Sequence, residues 1–65
     1  MIKNIYPFYV KVIQNKEIQI VHYCRGFIDL DFATWCYNEI FNILYNIGML
    51  QNGYAVVLER VELLD

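Results

Sequence analysis

The 65-residue sequence contains no serine and a single histidine, His22. A serine nucleophile activated by a histidine base is therefore excluded. The three glycines are scattered along the chain, so there is no glycine-rich loop of the kind that cradles phosphates. These absences exclude a serine–histidine hydrolytic site and a nucleotide site built on a glycine-rich loop. We expect a protein that is not an enzyme and that carries no cofactor.

Charge is also scarce. Charged residues make up 18% of the chain, the formal net charge is -2 and the pI is about 5.1. A surface that binds phosphates in general needs a strong basic excess, so the composition argues against a nucleic-acid partner. The uncharged stretch 40–58 contains Asn, Gln and Gly, which make it a poor membrane span. No basic, apolar leader is present, and we expect a cytoplasmic protein without membrane contact.

Two alternatives for the cysteines stay open. His22 and Cys24 are two apart on a predicted strand, and Cys36 and Glu39 are three apart on a predicted helix, so the four could converge on zinc. A disulfide between Cys24 and Cys36 is the other alternative. Buried Cys commonly behaves as a small hydrophobic residue, and a cytoplasmic thiol stays reduced. We therefore expect no metal and no disulfide.

One long helix is predicted over Leu30–Ile47. Asp29 and Asp31 stand where a side chain can accept a free backbone N–H and complement the positive end of the helix dipole. Gly48 follows the last residue, where glycine adopts the left-handed conformation that ends helices. Both ends of the helix are thus marked in the sequence.

At about 100° per residue, the helix has two faces. The predicted core face consists of Phe32, Ala33, Cys36, Ile40, Ile43, Leu44 and Ile47. The opposite face carries a row of asparagines with large aromatic residues beside it, which is typical of interface anchors. We predict that this surface binds a protein partner through Trp35, Asn38, Phe41, Asn42, Tyr45 and Asn46.

Three strands are predicted. The first covers Ile5–Gln14, with regular pairing from Phe8 because Pro7 cannot donate a hydrogen bond. A three-residue turn leads to the second, Ile18–Cys24. The last, Tyr54–Leu63, could also form a short helix, but its valines and the preceding Asn-Gly turn favour a strand.

The order of elements is therefore ββαβ, in a single small α+β domain. A right-handed crossover gives a three-stranded antiparallel sheet of order 2-1-3, with the helix packed on one face. The three-residue turn would place Val12 opposite Ile20, Val10 opposite His22 and Phe8 opposite Cys24. The uncovered sheet face would then carry two aromatic and two basic residues, an alternative site for single-stranded RNA formed by Tyr9, Lys11, Tyr23 and Arg25.

Size and composition favour association. A chain of this length buries only about 60% of its unfolded surface, yet 58% of its residues are hydrophobic. We expect a homo-oligomer, such as a homodimer, or an obligate protein partner. The abundance of Ile, Asn and Tyr is typical of AT-rich coding sequences, including those of phages and plasmids. The resulting hypothesis is a protein-binding module, a viral protein or one from another mobile element, that inhibits a host protein such as a defence nuclease.

Overall fold

The computed structural model describes residues 6–61. Its elements are β1 (Phe8–Gln14), β2 (Ile20–Phe27), helix α1 (Leu30–Asn46), a 3-10 turn (Met49–Asn52) and β3 (Tyr54–Arg60). The predicted N-terminal tail, the first residue of the first predicted strand and the end of the last lie outside the described residues.

The three strands form an antiparallel sheet in the order β2-β1-β3, and α1 packs on one of its faces. The predicted ββαβ order, α+β class and strand arrangement are confirmed. The first strand begins at Phe8, directly after Pro7 as predicted. Its pairing with β3 is unbroken from Phe8 opposite Arg60 to Gln14 opposite Tyr54. The central strand is therefore β1, which is apolar on both faces.

The predicted start of α1 is confirmed, and the helix ends one residue before the predicted last residue, Ile47. The backbone N–H of Asp31 donates to Oδ1 of Asp29 across 3.0 Å, so Asp29 caps the first turn. The helix ends at Asn46, Ile47 is its C-terminal cap and Gly48 has a φ of 77°. A side chain at Gly48 would be strained in this left-handed conformation, which explains why glycine follows the helix.

The predicted turn between β1 and β2 is wrong, because the connection is longer. It spans residues 15–19, and β2 begins at Ile20 rather than Ile18 and ends at Phe27 rather than Cys24. Asn15 has a φ of 65°, and its Oδ1 accepts the backbone N–H of Glu17 across 3.0 Å. The N–H of Gln19 then donates to the carbonyl of Asn15 across 2.7 Å. Asn15 can organise this wider loop because asparagine tolerates positive φ and bonds its own backbone.

The predicted β1–β2 register is also wrong. Val12 pairs with Tyr23 and Ile13 with Val21, so His22 is the extra residue of a β-bulge. From Tyr23 onward, every side chain of β2 therefore lies on the face opposite to the predicted one. Tyr23 and Arg25 share the face that the helix covers, and Cys24 lies on the open face, opposite Lys11.

The core lies between the helix and the β1–β3 half of the sheet. Its buried members are Val10, Val12, Ala33, Cys36, Leu44 and Val56. Tyr37 and Ile40 are half-buried against this cluster. The helix therefore meets the sheet along Ala33, Cys36, Tyr37, Ile40 and Leu44. Counting 100° per residue around the helix axis, the centre of this contact face is rotated by about 40° from the centre of the predicted apolar stripe.

The rotation leaves three residues of the predicted core face in solvent. Phe32, Ile43 and Ile47 are each more than half exposed. The helix packs mainly over β1 and β3 rather than over β2. The sheet therefore covers only part of this broad apolar stripe. We call these three residues the inner flank.

Candidate protein-interaction surfaces

The six residues predicted to bind a partner are all exposed on α1, with Phe41 at the edge nearest β3, and we call them the outer helix surface. Trp35 is 62% exposed and Tyr45 68%, although both are large aromatic side chains. The asparagine row is exposed between them, at positions 38, 42 and 46. The structure brings the six residues together on one continuous face, because spacings of three and four residues stack side chains along a helix.

A row of aromatic rings borders this surface. The ring centroids of Tyr37 and Phe41 lie 6.2 Å apart with an interplanar angle of 21°, and those of Phe41 and Tyr45 lie 6.5 Å apart at 17°. Tyr37 is half-buried against the core, whereas Tyr45 is exposed. The row thus connects the core to the outer helix surface at Tyr45. Tyr37 was not among the residues predicted from the sequence, although its i, i+4 spacing from Phe41 indicates that the two rings are neighbours.

Two shallow hollows flank the outer helix surface. One, of about 320 Å³, is lined by Asp29, Asp31, Phe32 and Trp35. It combines two carboxylates with two aromatic rings at the start of the helix. The other, of about 380 Å³, lies where Phe41 faces β3 and is lined by Asn15, Lys16, Phe41, Leu50, Gly53, Tyr54, Ala55 and Val56.

The structure does not bring together the four residues of the alternative RNA site. Tyr9 and Lys11 lie on the open face, whereas Tyr23 and Arg25 lie on the helix-covered face. Nζ of Lys11 is 2.6 Å from Oε1 of Glu59, and this hydrogen bond raises the pKa of Lys11. Arg25 lies over the ring of Phe27, 5.0 Å from its centroid. On the open face, the charge of Lys11 is therefore already neutralised by Glu59.

The residues of the alternative zinc site also lie apart. Cys24 is exposed on the open face and Cys36 is buried on the helix side, and both are free thiols. His22 projects from the bulge, where its Nε2 is 2.9 Å from Oε1 of Gln14 and its ring centroid is 5.3 Å from that of Tyr54. Within residues 6–61, no three His, Cys, Asp or Glu side chains are grouped to hold a metal ion.

The second strand forms a further exposed surface. Ile20, Val21 and Tyr23 are exposed although they are apolar or aromatic, and residues 20–25 are exposed without interruption. The helix packs mainly over β1 and β3. Within the described part of the chain, residues 20–25 of β2 are therefore uncovered on both faces, and the strand forms one edge of the sheet.

No protein-family model matches the chain, and comparisons with curated proteins and with solved structures likewise give no match. Among the described residues, no helix has the length and apolar character needed to cross a membrane.

Proposed function

We propose that this protein is a non-enzymatic protein-binding module whose outer helix surface docks on a partner. The observation that carries the proposal is the exposure of Trp35 and Tyr45 on either side of an asparagine row. Trp and Tyr are enriched among residues that dominate binding energy, because they bury a large area with few rotatable bonds. Asparagine side chains donate and accept hydrogen bonds and suit the polar part of an interface.

The charge of the helix indicates the chemistry of the partner. Between Leu30 and Asn46, α1 carries Asp31 and Glu39 and no Lys or Arg. The hollow beside Trp35 adds Asp29, so aromatic rings and carboxylates lie together. An Arg or Lys of the partner would fit there, because it could stack on Trp35 and pair with a carboxylate. We therefore propose that the partner presents a basic surface.

The mechanism is steric. A helix anchored on a sheet presents its outer surface on a rigid backbone, so binding requires little ordering of the main chain. An acidic, aromatic helix covering a basic surface would exclude the natural ligand of that surface. A nucleic-acid-binding groove is such a surface, so we propose an inhibitor of a host protein such as a defence nuclease, encoded by a phage or plasmid.

The experiment compares the protein with its Trp35→Ala and Tyr45→Ala variants. Proteins retained from a host lysate are identified on the unmodified chain, and the affinity of each purified candidate is then measured by calorimetry. We expect each substitution to weaken binding by at least about 2 kcal/mol, or roughly thirtyfold, as for anchor residues. Circular dichroism should show that both variants stay folded, because both side chains are exposed.

Ile18→Ala is the matched control, because Ile18 is 67% exposed but lies in the β1–β2 loop. Its affinity should equal that of the unmodified protein. If Trp35→Ala binds the partner as tightly as the control does, the outer helix surface is not the binding site. High salt should also weaken the unmodified complex, since the proposed contacts pair carboxylates with basic groups.

A further inference from the structure

The free edge of the sheet at β2 is suited to pairing with another strand. An edge strand presents unpaired N–H and C=O groups, and proteins usually protect such edges with lysine, proline, bulges or a covering element. Strand β2, Ile20–Phe27, contains no lysine or proline, and residues 20–25 are exposed. Strand β2 shows two devices of this kind, the charged side chain of Arg25 and the bulge at His22, and the bulge leaves the stretch Tyr23–Phe27 regularly paired with β1.

The inner flank of α1 lies on the side of the helix nearest this edge. Phe41 lies in a hollow with Tyr54 and Val56 of β3, so its side of α1 faces β3. At 100° per residue, Phe32 and Ile43 lie about 160–180° around the helix from Phe41. The inner flank therefore faces the β2 side of the sheet, because β2 and β3 are the two opposite edges.

The apolar area exposed on β2 and on the inner flank approaches the area that one partner buries in a stable interface. The exposed apolar side chains are Ile20, Val21, Tyr23, Phe32, Ile43 and Ile47. At about 150–200 Å² for a fully accessible side chain of this size, their exposed fractions amount to roughly 500–600 Å². Standard protein interfaces bury about 800 Å² per partner. The backbone edge of β2 would supply much of the remainder.

We propose that β2 pairs antiparallel with β2 of a second copy of this chain, across a two-fold axis perpendicular to the sheet. The two sheets would join into one of six strands, with both helices on the same face. The inner flanks would then face each other above the paired strands. A two-fold arrangement suits this surface, because the same edge and the same apolar flank serve both copies.

The side chains of β2 select the register of this pairing. Two-fold symmetry requires one residue of β2 to lie opposite itself. Centring on Arg25 would place two like charges together, which destabilises a strand pair. Centring on Cys24 places Tyr23 of each copy opposite Arg25 of the other, a favourable cation–aromatic pair. The two Cys24 Cα atoms would then be about 4.5–5.5 Å apart, within the range of a disulfide.

Cross-linking tests the edge and the register. The Cys36→Ala variant, which keeps only Cys24, is diluted to micromolar concentration and treated with the thiol oxidant diamide. We expect rapid formation of a covalent dimer of twice the 7.8 kDa chain, at a rate that does not fall on further dilution of the preformed dimer. The Cys24→Ser variant should give none. Sedimentation equilibrium of the untreated, unmodified protein should show the same dimer without oxidation.

Substitutions at Tyr23 and Arg25 test whether these two residues pair between the copies. Tyr23→Arg places Arg opposite Arg at two symmetric positions, and we expect the dimer dissociation constant to rise at least about tenfold. The double variant Tyr23→Arg/Arg25→Tyr restores the unlike pair, so the dimer should return. Trp35→Ala should leave dimerisation unchanged, because Trp35 belongs to the outer helix surface.

Three results would overturn the proposal. A monomer at all concentrations would show that the edge does not bind a second copy. A dimer that Trp35→Ala disrupts and Tyr23→Arg does not would place the interface on the outer helix surface. A dimer in which Cys24 does not cross-link would exclude this register. Circular dichroism of each variant, compared with the unmodified protein, separates loss of pairing from loss of folding.

Discussion

The ring of Tyr6 lies directly over Gly26 on the open face of the sheet. A Cβ atom built on Gly26 would be 2.6 Å from both Cγ and Cδ2 of Tyr6 and 2.9 Å from its Cβ. Tyr6 also meets Tyr9, at a centroid distance of 6.3 Å and an interplanar angle of 85°. Because Gly26 has no side chain, an aromatic ring can cover the backbone of β2 beside the central strand.

We predict that Gly26→Ala destabilises the fold. The new methyl group would collide with the base of the Tyr6 side chain, which cannot move without its backbone, and overpacking of this kind costs roughly 1–3 kcal/mol. Urea unfolding at a fixed protein concentration measures the loss. The Tyr6→Ala/Gly26→Ala double variant should lose less than the sum of the single variants. Additive losses would show that the ring does not cover Gly26 in solution.

The Lys11–Glu59 ion pair should make a small, pH-dependent contribution. Both side chains are partly exposed, so Glu59→Gln should cost less than about 1 kcal/mol at neutral pH. The pKa of Lys11 is raised above 10.5 in the folded state, chiefly by its hydrogen bond to Glu59. The contribution is therefore complete below pH 10.5 and is lost as the pH rises through the folded pKa. Unfolding curves of both proteins should converge above that pH; a constant difference would contradict the assignment.

Val10 is the fully buried centre of the core, with no exposed surface. Val10→Ala removes two methyl groups from a site enclosed by helix and sheet, and should lower the free energy of unfolding by roughly 1.5–3 kcal/mol. For a domain of this size that corresponds to a melting temperature lower by about 6–24 °C. Ile18→Ala, at a loop position that is 67% exposed, should change stability by less than about 0.5 kcal/mol. Equal effects of the two substitutions would place the core elsewhere.

Asn15 should be replaceable by glycine but not by alanine. Its φ of 65° is strained for most side chains, and its Oδ1 accepts the N–H of Glu17. Asn15→Ala loses the hydrogen bond and keeps the backbone strain, so we expect a loss of roughly 1–2 kcal/mol. Asn15→Gly also loses the hydrogen bond but relieves the strain, so it should lower the free energy of unfolding by clearly less than Asn15→Ala does. Thermal melting of the two variants compares them, and a larger loss for glycine would argue against this loop conformation.

Local signals in the sequence were sufficient for the order and type of the elements. The caps at Asp29 and Gly48 mark the ends of α1 because the orphan groups of a helix end need partners within a few residues. Pro7 fixes the start of β1 for an equally local reason, since it lacks an N–H. The outer helix surface was also predictable, because helical spacing alone places Trp35 and Tyr45 on the polar side.

The register of β2 could not be predicted in the same way. The choice between a three-residue and a five-residue connection depends on the conformation of Asn15 and Gln19, both at positive φ. The bulge at His22 then shifts Tyr23, Cys24 and Arg25 to opposite faces. A period of two carries no information about an inserted residue, so a single bulge reverses every later assignment.

Short-range patterns in the sequence define a ββαβ chain with one capped helix, a central apolar strand and an aromatic, asparagine-rich helix face. The reason is that caps, turns and periodicity act over a few residues. Which apolar residues are buried depends instead on the packing of the helix on the sheet. Lying mainly over β1 and β3, α1 buries Ala33, Cys36 and Leu44 and leaves Phe32 and Ile43 exposed. The position of the helix is set by contacts with strands distant in the chain, which short-range sequence patterns do not describe.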